Sequence, residues 1–222
     1  MSSNEAFEYV LIPDSADARL FSELSSYGAD LCEARQALAL ASEGGEGSRL
    51  WDASASLIGS AAIAYCRTYF HSKVRKPVTD HIVIPAELAE IHALIRVFRN
   101  STIAHSQSEL ATTFPVGVLD VKTLRVRDVT AATSSQTLPP PVVRRFRELV
   151  DVVDDLLFEM IEPVRQRLIE QLRASNRAGM LASGARPTVI NVTDADFNPQ
   201  TKRLPYPTSN KLHWTSEPLS SE

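Results

Sequence analysis

Three residues whose types suit acid–base and anion chemistry lie close together in "RVFRNSTIAHSQSE": Arg99, Asn100 and His105. Imidazole titrates near neutral pH, so it can take or give a proton. A guanidinium is a fixed positive fork that binds an oxyanion or a charge developing in a transition state. An asparagine amide can orient either group by hydrogen bonds. Arg96 and, further upstream, Arg67 add positive charge. Residues six apart on an ideal helix sit roughly 240° apart in projection. One straight helix therefore does not aim Arg99 and His105 at a common point, and something must bend, end or pair with a second copy.

The elements that would position these residues are read from apolar period and helix caps. A first helix is expected from Asp14 or Ser15 to the break "EGGEGS", with Leu20, Leu24, Leu31 and Leu38 on one side. Ser48 caps a second, "RLWDASASLIGSAAIAYCRTYFHS", in which Gly59, Ser60, Ala61 and Ala62 let a neighbouring helix approach closely. Pro85 suits the first turn of a third, where Leu88, Ile91, Ile95, Phe98 and Thr102 form a seam toward other helices. Arg99 is one step off that seam, on the stripe of His92, Arg96 and Ile103, between core and solvent.

The stretch 116–129 alternates like a strand and is expected to form a hairpin or an irregular crossover. A long helix follows from about Val142 to Ala174, kinked at Pro163. The expected fold is an all-α, four-helix up-down bundle with that irregular or short β connection before the last helix. The domain is placed at 14–174, and 175–222 is expected to be a disordered tail of low order, rich in Pro, Ser, Thr and Asn, with "TVINV" as a weak strand and "LHWT" as a docking peptide.

Composition narrows the classes. The chain has 222 residues, 44% hydrophobic and 23% charged, in the ordinary range of a globular protein. Its net charge of −4 argues against coating nucleic acid by bulk electrostatics. The charge is uneven, however: residues 1–65 carry three Lys/Arg against ten Asp/Glu, whereas 66–105 carry six against three. No membrane association is expected, since "SLIGSAAIAYC" is too short to span a bilayer, and "MSSNEAFEYV" does not read as a secretory signal. The expected location is the cytoplasm, with Cys32 and Cys66 as reduced core residues. Tyr65, Tyr69 and Trp51 are also assigned to the core. His71, His81, His92 and His105 lack metal-ligand spacing, nucleophile-elbow and phosphate-loop motifs are absent, and no metal or cofactor is expected. "NST" and "NVT" are read as chance matches to the glycosylation pattern.

An arginine followed by a polar residue, with a histidine five to seven positions after the arginine near the end of the third helix of a four-helix bundle, resembles the HEPN superfamily; here the spacing is six. "FRNSTIAHS" is similar to the wording of abortive-infection-type members, and "AYCRTYFHSKVRKP" to the tyrosine, arginine and aromatic run of some of them. The resemblance covers about 14–174. It implies a homodimer that cleaves RNA without a metal, in defence or stress, two copies of the third helix forming one cleft. Arg99, Asn100 and His105 would then be catalytic, and Arg67 and Arg96 would contact substrate phosphates. RNA carries its own nucleophile, the 2′-hydroxyl, so proton transfer and charge stabilisation suffice. A regulatory protein partner is compatible with the resemblance. Control by a partner nucleotidyltransferase is not supported, because the tyrosine such members carry two residues after the histidine is Gln107 here. The rival reading is a catalytically silent module that binds RNA, nucleotide or protein, and a third is a structural bundle acting through its tail.

Overall fold

The computed structural model describes residues 7–44, 47–105, 107–202, 204 and 206–212. Among them the fold is mixed, 56% helical and 14% strand, with five α-helices and two two-stranded sheets. This corrects the all-α expectation. The helices are α1 (Ala16–Glu43), α2 (Arg49–Arg67), α3 (Ala89–Phe98), α4 (Pro140–Ala174) and α5 (Arg177–Ala182). The strands are β1 (Ala111–Leu119) and β2 (Val126–Ser135), which are antiparallel, and β3 (Thr188–Asn191) and β4 (Ser209–Leu212), which are parallel.

The chain divides into two compact units. One comprises 26–71 and 76–158 and the other 1–25, 72–75 and 159–222. In the first, the core is built from one side of each helix. Tyr27, Leu31, Ala34 and Leu38 come from α1, Ile58, Ala61, Ala62 and Tyr65 from α2, Ile91, Ile95 and Phe98 from α3, and Phe146, Leu149, Val150, Val153 and Leu157 from α4. Cys32 is exposed rather than in the core, because it follows the buried Leu31 by one residue and so turns about 100° away from it. Cys66 is buried.

Ser48 caps α2 by accepting a hydrogen bond from the Trp51 amide at 3.2 Å. The helix ends at Arg67, short of the expected "TYFHS", because the buried Thr68 turns its hydroxyl back onto the Tyr65 carbonyl at 2.7 Å. The Thr68 carbonyl then accepts from the Val78 amide at 2.7 Å.

The β1–β2 hairpin occupies the expected connection but is longer than the alternating stretch. Its strands pair with each other, and their residues are exposed or half-exposed throughout. The Gln136 amide closes its base on the Leu110 carbonyl at 2.7 Å.

In the second unit, Asp17 receives a bidentate pair from Arg167 at 2.8 and 3.0 Å. The Leu11 amide bonds the Ala185 carbonyl at 2.9 Å, and Arg186 pairs with Glu8 at 3.0 Å. The region after 175, expected to be disordered, therefore holds α5 and the β3–β4 pair, and "TVIN" is a strand. Its regularity comes from a backbone ladder, Thr188 with Ser209 through Asn191 with Leu212, which needs no apolar period. Of "LHWT", His213, Trp214 and Thr215 lie outside the described residues. No helix among the described residues is long and apolar enough to cross a membrane.

Candidate functional site

The expected seam holds Leu88, just before α3, and Ile91, Ile95 and Phe98 of α3 in the core, but Thr102 is only half-buried. The reason is a change of helix type: Arg99–Ala104 forms a π-helix directly after Phe98. Such a turn bonds each residue to the fifth before it, so the phase of the seam slips at Arg99. Ser101 contributes by turning its hydroxyl back onto the Val97 carbonyl at 2.8 Å, a local bond that competes with the α-helical pattern. Gly59 of α2 makes room for the turn, since a Cβ built there would sit 3.1 Å from Ile103 Cδ1.

The turn settles how the three leading residues lie. Arg99 is half-buried, with its guanidinium carbon 4.9 Å from the centroid of the Phe70 ring, and Nη1 donates to Asn100 Oδ1 at 3.0 Å. Arg96 approaches the same ring at 5.9 Å, so two cations lie within cation–π range of one aromatic ring. Among the described residues, neither arginine has a carboxylate partner. His105 ends the π-turn in an extended backbone conformation and is exposed. Its side chain makes no hydrogen bond to Arg99, Asn100 or any other described residue. Within one chain, Arg96, Arg99 and Asn100 are thus brought together at Phe70, and His105 is not joined to them. Arg67 stands apart: its Nε donates to Asp30 Oδ1 at 2.9 Å, and its other arm pairs with Glu33. Its charge is already matched by two carboxylates of α1.

Sequence reasoning missed the group behind the arginines. His92 shares a helical stripe with Arg96 and Arg99, and its Nδ1 meets the Tyr65 hydroxyl at 2.8 Å. The His92 ring lies 4.5 Å from that of Tyr69, and Phe146 packs edge-on against Tyr65 at 5.5 Å. Burial raises both tyrosines well above the usual phenol range, so both keep their protons. Burial, and secondarily the charge of Arg96, lowers the His92 pKa from its ordinary 6.5. Burial likewise raises the neighbouring Cys66 thiol to about 11, against the opposing pull of Arg99 and Arg96. The signal available in sequence was the spacing of four and three from His92 through Arg96 to Arg99; the tyrosine partner lies across the α2–α3 contact.

Chemically, the cluster offers two cations of a kind that suits an anion, with a positioned imidazole behind them and an exposed imidazole one π-turn away. Among the described residues no group of three His, Cys, Asp or Glu side chains is placed to hold a metal ion. No protein-family model, curated protein or solved structure matches the chain significantly.

Proposed function

We propose that this chain is a HEPN-type, metal-independent endoribonuclease, acting as a cytoplasmic homodimer in defence or stress and open to control by a protein partner. The observation that carries the reading is the pair of arginines without carboxylate partners among the described residues, Arg96 and Arg99. They stand over Phe70 at the head of a π-turn that also presents Asn100 and ends at the exposed His105. π-Turns within helices are frequent at functional sites.

In this reading His105 accepts the proton of the RNA 2′-hydroxyl, and that oxygen attacks the adjacent phosphorus. The bond from phosphorus to the 5′-oxygen breaks, and the leaving oxygen takes a proton from the imidazolium of His105 in a second copy. The products are a 2′,3′-cyclic phosphate and a 5′-hydroxyl. Arg99 stabilises the charge on the phosphorane, Asn100 keeps the guanidinium in place, and Arg96 holds a flanking phosphate. Arg67 would join only by exchanging Asp30 and Glu33 for a substrate phosphate. A catalytically silent module binding RNA, nucleotide or protein is the second reading, favoured by the absence of any bond between His105 and the Arg99–Asn100 pair within one chain.

The test is cleavage of RNA by the purified protein in EDTA, with a 2′,3′-cyclic phosphate end and no cut where the attacking ribose is replaced by deoxyribose. Arg99→Ala and His105→Ala should each lower the rate by about 10² to 10⁴ while the thermal transition stays in place. Binding without cleavage across a broad RNA panel would select the silent module. Variants that cut as well as wild type would remove Arg99 and His105 from the site.

A further inference from the structure

A cavity of about 700 Å³ opens at the N-terminal end of α2, bounded by the last turn of α1, the first turns of α4 and the segment 136–139. That is within the range of small-molecule sites. The cavity is lined by α2 from Trp51 to Ile58, about 10 to 20 Å along the helix from Tyr65.

Two features define its chemistry. The wall is apolar, with Ile58, Leu138 and Val143 buried and the Trp51 indole 52% exposed rather than in the core. Arg144 and Arg147 also line it, and among the described residues neither has a carboxylate partner; Arg147 reaches only the Ser42 hydroxyl, at 3.4 Å. Arg145 between them is occupied, by Glu148 at 2.6 Å and the Glu87 carbonyl at 2.8 Å. The start of α4 adds little of its own. Pro140 and Pro141 have no amide proton, and the Val142 and Val143 amides are taken by the Pro139 carbonyl at 2.9 and 3.0 Å. Anion recognition here falls to side chains.

We propose that this cavity binds a small monocarboxylate with an aromatic or branched apolar body. The body lies against Trp51 and Ile58, and the carboxylate is held by the guanidinium forks of Arg144 and Arg147. The apolar wall and the small number of cations favour one singly charged headgroup over a polyphosphate. The site is independent of the RNA reading and stands or falls without it.

The probe is 2-naphthoate, titrated calorimetrically into the full chain, with 2-naphthamide as the uncharged isostere. Saturable 1:1 binding is expected, weaker by about tenfold or more for the amide and for the double variant Arg144→Gln/Arg147→Gln. Ser54→Leu, which fills the cavity, should abolish it, and Ala41→Leu serves the same purpose if that variant fails to fold by circular dichroism. Acid and amide binding equally, a double variant at wild-type affinity, a filled cavity that still binds, or no saturable binding up to about 1 mM would each overturn the assignment.

Discussion

The contact between Gly59 and Ile103 is where the packing of α2 against the π-turn can be measured. A Cβ at Gly59 would stand 3.1 Å from Ile103 Cδ1, a few tenths of an ångström inside the optimal carbon–carbon separation of about 3.5–4.0 Å. Gly59→Ala therefore combines two opposed effects. Helix propensity favours alanine by about 0.5–1 kcal/mol, while the methyl forces Ile103 to shift, a small overpacking of about 1 kcal/mol. The single variant should be close to neutral. Ile103→Val alone removes Cδ1 and should cost about 0.5–1.5 kcal/mol, toward the lower end because Ile103 is only half-buried. In the double variant the methyl occupies the space Cδ1 has left, so the propensity gain is kept and the overlap is gone. The double variant should be more stable than the sum of the singles by about 1 kcal/mol. Urea unfolding followed by far-ultraviolet circular dichroism resolves this if the m-values agree. Additivity to within about 0.3 kcal/mol would show that the two segments do not meet this closely, and the π-turn would need another explanation.

Two further outcomes follow from the same geometry. Because burial lowers the His92 pKa, the unfolded chain binds a proton that the folded chain refuses as pH falls below about 6.5, and stability drops with pH until the folded-state pKa is reached. His92→Gln should flatten that part of the profile of urea midpoints between pH 7 and 5, and an unchanged slope would contradict the placement of His92. Replacing the hairpin residues 111–135 by a short Gly/Ser link between Leu110 and Gln136, already joined by a 2.7 Å hydrogen bond, removes strands that bury few side chains. The melting temperature should move by less than about 3 °C, and a fall of about 10 °C or more would show that the hairpin packs on the helices.

What the sequence alone determined was everything governed by local period and local chemistry. Ile91, Ile95 and Phe98 mark one face of α3 because their spacing is that of a helix, and Ser48 caps α2 because a serine oxygen is in reach of the third amide beyond it. The same reasoning put Arg99 between core and solvent and Arg96 beside it. The alternation after Val116 announced extended chain, though not the length of the hairpin.

Other features depended on which residues meet across elements. The slip into a π-turn at Arg99 involves a contact between Gly59 and Ile103, forty-four residues apart, and the choice of His92 as the positioned imidazole depends on Tyr65 on another helix. Asp30 and Glu33 of α1 neutralise Arg67 while Arg96 and Arg99 keep no such partner among the described residues, a distinction that residue type does not carry. β3 and β4 regularise a segment without apolar period, because a ladder of backbone hydrogen bonds forms between any two strands brought side by side. Trp51 was assigned by residue type to a core that the mouth of a cavity excludes it from, whereas Cys32, misassigned the same way, is turned outward by the phase of α1, which its place one residue after Leu31 already carries. Period and caps are properties of neighbours in the chain, and the sequence prints them. Charge neutralisation, helix slippage and strand pairing are properties of neighbours in space, and only the folded chain decides them.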